Sequence, residues 1–290
     1  MLGKEGASKL ETKVSSAKKQ VIISHEGPTI LIGERINPTG RKKLLEALQA
    51  GNLDVVTEEA RSQVTAGADI LDVNVAGTGI DERTVLPKVV EAVMDCVDVP
   101  ICIDFNDIAA LEATLRIYKG KPIVNSVTAE EKSLKAILPL VKEYGTAVVG
   151  LALDDEGIPK TADRRIANAA KIVERAESMG IPREDVIIDG LALTIGSDDK
   201  AGRVTLETVS AVKQSLGVNQ TLGASNVSFG LPNRILLNQV FLAIAISLGL
   251  TCPTVDVAKM RSTAAASDLC MGRDRYALRY IQDYRRTAQA

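Results

Sequence analysis

Eight short runs rich in apolar and β-branched residues recur along the chain, each followed by a longer amphipathic segment, and this alternation leaves few folds open. The runs are TILIGE (29–34), DILDVNV (69–75), VPICIDF (99–105), PIVNSV (122–127), TAVVGLAL (146–153), DVIIDGL (185–191), LGASNVS (222–228) and TCPTVDV (251–257). The spacing between them predicts helices. Thr128 and Glu131 read as a capping box for a helix that ends at Gly145 and is kinked by Pro139, and Leu206, Val209, Val212 and Leu216 form a stripe that stops at Gly217. Eight strand–helix units in about 260 residues predict a (β/α)8 TIM barrel, which fills one domain of about 250 residues where length alone would suggest two. An earlier apolar run, VIIS (21–24), is expected to pair with TILIGE through the HEGP turn and to plug the bottom of the barrel. Residues 1–20 read as a flexible tail and residues 21–290 as a single barrel domain.

Composition narrows the function. Of 290 residues, 46% are hydrophobic and 25% charged, which excludes disorder for most of the chain. The 35 basic and 37 acidic side chains leave a formal charge of −2, and with no Trp and 3% aromatics the chain lacks both counterion-releasing charge and stacking platforms, so nucleic acid is not an expected partner. Cys96, Cys102, Cys252 and Cys270 are too few and too irregular for a disulfide framework or a zinc site, which points to a reduced, cytoplasmic protein. The opening segment has no apolar core and does not read as a secretory signal. The most apolar stretch, 235–250, is broken by Asn238 and Gln239 and is shorter than the roughly 20 residues a bilayer requires, so a buried helix is expected there.

A barrel interior is packed, so polar residues inside its strands are costly unless they reach the C-terminal mouth, where active sites assemble. The polar residues fall at that end of every run. The first ends in Glu34, Arg35 and Asn37, the second carries Asp72 and Asn74, the third Asp104 and Asn106, and the fourth Asn125. Asp154 and Asp155 follow the fifth, Asp189 ends the sixth, Asn226 lies in the seventh and Asp256 in the eighth. Asn106, Asp107, Asp154 and Asp155 are readily explained as helix caps and loop residues. Asp72, Asp104, Asn125, Asp189 and Asn226 are embedded in apolar runs and are the stronger site candidates.

Carboxylates accept from paired N–H donors and carboxamides both donate and accept, so such a rim suits a planar heterocycle carrying amino, ring N–H and carbonyl groups, as in a reduced pterin. The same acids also allow magnesium binding through Glu34, Asp72, Asp104 and Asp189. Gly223 and Gly230 around Asn226 could instead mark a phosphate subsite after the seventh strand. The lone histidine, His25, falls in the expected bottom turn and reads as a solvated turn residue.

ILIGERINPTG, DILDVNV, ICIDFND, PIVNSV, GLALDDEGIPKTADRR, VIIDGL and GASNVS followed by LPNR resemble, in order, the pterin-binding methyltransferase family. The likeness is greatest to the methyltetrahydrofolate:corrinoid protein methyltransferases, which are similar to the folate-binding domain of cobalamin-dependent methionine synthase. The resemblance implies a homodimeric barrel of one-carbon metabolism that binds methyltetrahydrofolate and exchanges its N5 methyl group with the cobalt of a corrinoid (cobalamin) carried by a partner protein. By the same resemblance Asp104, Asn125 and Asp189 grip the pterin, Asp72 and Asn74 belong to that pocket, and Asn226 is the catalytic residue that reaches N5.

No resident metal is expected, and a chain whose one histidine lies at position 25 lacks the histidine-bearing cobalamin motif, so the corrinoid must come from the partner. Arg35, Arg164, Phe229 and Arg234 are candidate contacts for that partner or for the folate tail. Two features depart from the family pattern: an N-terminal extension of about 28 residues, and Phe229 where some relatives carry a polar amide. A dihydropteroate synthase-like reaction, and a non-catalytic pterin-binding subunit packed through Tyr276, Tyr280 and Tyr284, stand as alternatives.

Overall fold

A computed structural model describes residues 10–288. Eight parallel strands form the barrel: β3 (Ile32–Ile36), β4 (Ile70–Val73), β5 (Ile101–Asp104), β6 (Ile123–Thr128), β7 (Ala147–Leu151), β8 (Val186–Asp189), β9 (Asn219–Thr221) and β10 (Thr254–Val255). Each pairs with its sequence neighbour, and β10 returns to pair with β3. The sheet is joined where β9 meets β10 by a Gly223–Thr254 bridge and by N–H donation from Cys252 to the Gln220 carbonyl at 2.9 Å and from Thr254 to that of Leu222 at 2.9 Å. The TIM barrel expected from the sequence is therefore present.

The helices α1 (Lys42–Gln49), α2 (Asp54–Thr65), α3 (Glu82–Cys96), α4 (Ile108–Ile117) and α5 (Glu131–Tyr144) wrap the first half. The second half carries α6 (Ala162–Ser178), α7 (Ala201–Ser215), α8 (Arg234–Leu248), α9 (Val257–Cys270) and α10 (Leu278–Ala288). Asp107 caps α4 by accepting from the Ala109 N–H at 2.8 Å, and α5 ends at Gly145, whose φ of 62° suits a residue without a Cβ. The expected Thr128–Glu131 capping box does not form. Thr128 Oγ1 instead accepts from the Glu130 N–H at 3.3 Å, and the Thr128 N–H donates to Ser133 Oγ at 2.9 Å.

Two apolar layers hold the barrel. The larger lies between strands and helices, where Leu71, Ile101, Val124, Leu138, Ile172 and Val209 are fully enclosed or nearly so. The smaller fills the lumen with Ile32, Ile70, Cys102, Ile123, Val149, Ile187 and Cys252. Strand side chains alternate between these layers with a period of two.

Four local expectations are corrected. The bottom plug is a hairpin of β1 (Thr12–Ser15) with β2 (Gln20–Ile23), not of VIIS with TILIGE; Val14 and Ile23 seal the lumen from below. Residues 12–20 thus belong to folded structure, residues 10 and 11 lead into β1 without regular structure, and residues 1–9 of the expected tail lie outside the described residues. The seventh strand is Asn219–Thr221, upstream of LGASNVS, and residues 224–228 form a short 3-10 helix. Residues 235–248 of the segment 235–250 lie in α8, which is buried on one face only: Leu236, Val240 and Ile244 are exposed. Among the described residues no helix is long and apolar enough to cross a membrane.

Candidate functional site

The period-two geometry of the strands builds the site. Two residues beyond the lumen-filling Ile32, Ile70, Cys102, Ile123 and Ile187 stand Glu34, Asp72, Asp104, Asn125 and Asp189, so a polar layer is stacked directly on an apolar floor. Asp104 and Asn125 are in register on adjacent strands, as are Asp72 and Cys102. The structure thereby brings together the strand-borne candidates at the C-terminal mouth.

Within this layer acids and amides hold one another. Asn74 Nδ2 donates to Asp104 Oδ2 at 2.8 Å, while Asn74 Oδ1 accepts from the Ala76 N–H at 2.7 Å, which leaves the amide no freedom to flip. Asn125 Nδ2 donates to Asp72 Oδ1 at 3.2 Å, and the Cys102 thiol also bonds Asp72. Asp189 Oδ1 accepts from the Leu191 N–H at 2.7 Å. Glu34 Oε1 accepts from Ser225 Oγ at 2.8 Å, tying the end of β3 to the loop that carries Asn226. Gly33 permits this end of β3 to settle, since a Cβ there would lie 2.5 Å from Gln63 Oε1, the atom that accepts from the Arg35 N–H at 2.9 Å.

Burial raises the proton affinity of every acid in the layer. Asp104 and Asp189 are each pushed up to about 6, in both cases by burial first, which their hydrogen bonds from Asn74 and from Leu191 partly oppose. Asp72 is held well above the ordinary carboxylate range by burial and then by the neighbouring Asp104 charge, and Glu34 is also raised by burial. The layer is therefore short of positive charge and of N–H donors, and a ligand bearing several such donors would relieve it. The magnesium reading fits less well: among the described residues no three His, Cys, Asp or Glu side chains converge as a metal-binding group.

The remaining candidates sit higher. Asn226 is exposed on the 3-10 helix after β9, and its amide nitrogen lies 2.9 Å from where a Cβ on Gly223 would stand. Phe229 is 65% exposed, and the Arg234 guanidinium lies 5.3 Å from its ring centroid. Arg234 also donates to Ser228 Oγ at 3.1 Å and to the Ser225 carbonyl at 2.8 Å, so it braces this loop. Arg35 stands between Glu59 at 3.7 Å and Asp256 at 4.0 Å, and Arg164 is held by Asp154 at 3.1 Å and Glu156 at 2.6 Å. His25 is half-buried at the barrel bottom against the Val218 carbonyl at 3.1 Å, not solvated as expected. Tyr276, Tyr280 and Tyr284 are exposed, so the stripe does not pack into the core of its own barrel.

One site component escaped sequence reasoning. Arg165 is fully buried behind Asp189, yet in the sequence it is half of an Arg-Arg pair on an amphipathic helix, which reads as a solvated face.

Comparison with known proteins agrees with this chemistry. Residues 33–256 match the family described as pterin binding enzymes, and the chain belongs to that family. It is 31% identical over 263 residues to the methionine synthase of Mycobacterium tuberculosis, a match covering 86% of this chain and 22% of that protein. The chain thus spans about a fifth of the methionine synthase it matches. It is 28% identical over 265 residues to the methylcorrinoid:tetrahydrofolate methyltransferase of Eubacterium limosum, covering 88% of this chain and 96% of that one. Among solved structures, the dihydropteroate synthase of Yersinia pestis superposes with a TM-score of 0.68 at 16% identity, over 90% of this chain and 99% of that one, a likeness of fold.

Proposed function

We propose that this pterin-binding barrel is a methyltransferase that moves a methyl group between N5 of (methyl)tetrahydrofolate and the cobalt of a corrinoid carried by a separate protein. The observation that carries the reading is the polar layer itself: Asp104, Asn125 and Asp189 rise from an apolar floor at the mouth, with the Asn226 amide exposed above them. The two carboxylates would accept the amino and ring N–H protons of the pterin, and Asn125 would exchange bonds with its ring. The name of the Eubacterium limosum relative, matched over nearly its whole length, supports the same chemistry.

In the transfer the N5–methyl bond breaks, a cobalt–methyl bond forms and N5 takes a proton; the corrinoid supplies the nucleophile. This chain's residues orient the folate and stabilise N5 as electron density gathers there. Asn226 is suited to donate to N5, an interaction that strengthens in the transition state and is worth on the order of 10²-fold in rate. Condensation of a pterin diphosphate, as in a dihydropteroate synthase, would need converging cations for the leaving group, and Arg164 and Arg234 are instead bound within their own loops.

The exposed ridge of Leu236, Val240 and Ile244 on α8, beside a groove of about 690 Å³ against α7, supports a homodimer with this face at its centre. The deciding experiment measures methyltetrahydrofolate binding and methyl transfer with a reduced corrinoid protein. Asn226→Ala should lose turnover by about 10²-fold with little change in affinity. A parallel fall in both would reduce Asn226 to a binding residue, and absence of folate binding by the unaltered protein would end the reading.

A further inference from the structure

Arg165, in the first turn of α6, is the largest fully enclosed side chain among the described residues. Burying a guanidinium is expensive unless its donors are satisfied and its charge is opposed. Its Nε and Nη1 donors are satisfied by neutral oxygens from two consecutive strand–helix units, β7–α6 and β8–α7. Nε donates to the Pro159 carbonyl at 2.9 Å, and Nη1 donates to the carbonyls of Gly190 at 2.8 Å and Leu191 at 2.6 Å and to Thr205 Oγ1 at 3.3 Å. The carboxylate that acts on it is Asp189.

The Leu191 residue is the link between the two. It has a φ of 65°, a left-handed conformation that a branched residue does not adopt without support. Its carbonyl is held from one side by Arg165 and from another by Thr205 Oγ1 at 2.9 Å, while its N–H holds Asp189 Oδ1. Removing Arg165 therefore frees the turn that orients Asp189 and also removes the positive charge behind it.

We propose that Arg165 is a positioning residue for the ligand-binding carboxylate: it locks the Leu191 turn that aims Asp189 into the pocket and supplies the buried positive charge that keeps Asp189 anionic. The inference rests on the reading of Asp189 as a pterin-binding group. The groups that act on Asp189 are Arg165 from α6, the N–H groups of Leu191 and Gly223, and the Cys252 thiol just before β10, which burial pushes up to about 12 and so keeps neutral. Arg165 is accordingly the charged group whose loss would move the titration of Asp189 upward from about 6.

The test is tetrahydrofolate binding by calorimetry from pH 5 to 8.5 for the unaltered protein, Arg165→Met, Arg165→Lys and Thr205→Val. Arg165→Met should weaken binding about tenfold or more at neutral pH and shift the acid limb of the binding profile to higher pH. Arg165→Lys should return the acid limb toward its original position, because it restores the charge, but should not restore full affinity, because it loses the carbonyl bonds. Thr205→Val, which loosens the turn and keeps the charge, should lower affinity and move the limb less than Arg165→Met does.

If Arg165→Met does not fold, Arg165→Gln, which keeps an N–H donor for the carbonyls and removes the charge, takes its place, and an acid limb that it leaves where the unaltered protein has it overturns the proposal. An acid limb that Arg165→Met leaves in place, or that Thr205→Val moves as far as Arg165→Met does, overturns the proposal. Failure of the unaltered protein to bind tetrahydrofolate at any pH would instead strike the functional reading beneath it.

Discussion

Asn74, just past the end of the neighbouring strand β4, holds Asp104 at 2.8 Å, so a carboxylate proposed to grip the ligand is itself gripped before any ligand arrives. Such preorganisation has a cost in the empty protein, because burial pushes Asp104 and Asp189 up to about 6 from an ordinary value of 3.8. A carboxyl raised by folding favours the folded state fully below its ordinary value and loses that favour as pH rises through about 6. At neutral pH both acids therefore oppose folding. Asp104→Asn, at a carboxyl that no cation among the described residues faces, should stabilise the ligand-free protein at pH 7.5 by on the order of 1–3 kcal/mol, seen as a melting temperature several degrees higher, while folate binding is lost. A lower melting temperature would show that the carboxylate is structural.

The same shifts set the pH range of ligand binding, with the opposite sign. Pterin N–H donors need anionic acceptors, so affinity for tetrahydrofolate should be level above about pH 7 and fall as pH drops through about 6, where Asp104 and Asp189 take up protons. Calorimetry in two buffers of different ionisation enthalpy checks this directly. Proton release on binding near pH 6 is the expected outcome, and proton uptake would contradict it.

Much of this site was legible because the strands that carry it are apolar with one acid or amide near the end: ILDV, ICID and VIID show Asp72, Asp104 and Asp189 against residues that leave no other place for them. Legibility failed where polarity was inverted. β9 is Asn-Gln-Thr, all three buried, and its polarity is absorbed by tertiary bonds such as Gln220 Nε2 to the Val209 carbonyl at 2.9 Å. The run that looked like the seventh strand turns at Gly223 into a 3-10 helix and lifts Asn226 to the rim. The β1 strand was hidden in a polar segment because only two of its four residues are buried. Arg165 was missed since its partners are backbone carbonyls, which no residue pattern reveals.

Gly223 controls the place of Asn226. A Cβ at this position would stand 2.9 Å from the Asn226 amide nitrogen, while the backbone, with φ −69° and ψ 74°, does not itself require glycine. Gly223→Ala should therefore fold normally and rotate the Asn226 amide away. Turnover should fall about tenfold, less than for Asn226→Ala, with folate affinity within about twofold of the parent. Steady-state kinetics with a corrinoid protein in excess separates the two effects, and equal losses in affinity and turnover would count against this role.

Phe229 offers a test of the partner surface. It stands 65% exposed with the Arg234 guanidinium behind its ring, an apolar plate beside Asn226. Phe229→Ala should leave folate affinity and thermal stability nearly unchanged, because the ring covers little, and should raise the concentration of corrinoid protein needed for half-maximal rate by about tenfold. Unchanged dependence on the corrinoid protein would show that docking avoids this loop.

The bottom hairpin gives a stability prediction independent of any ligand. Asn219 Nδ2 donates to Thr12 Oγ1 at 2.9 Å and to the Ile23 carbonyl at 2.9 Å, so one buried amide on β9 fastens both strands of the plug. Ile23 is fully enclosed and packs in the lumen cluster that forms the floor beneath the polar layer. Ile23→Ala should cost about 2–5 kcal/mol through lost burial and a cavity, and Asn219→Ala about 1–3 kcal/mol through the unpaired groups it leaves. Because both act on one plug, their combined effect in denaturant titration should be less than additive. Strict additivity would mean that the hairpin does not move as a unit, and losses below about 0.5 kcal/mol would mean that the barrel stands without it.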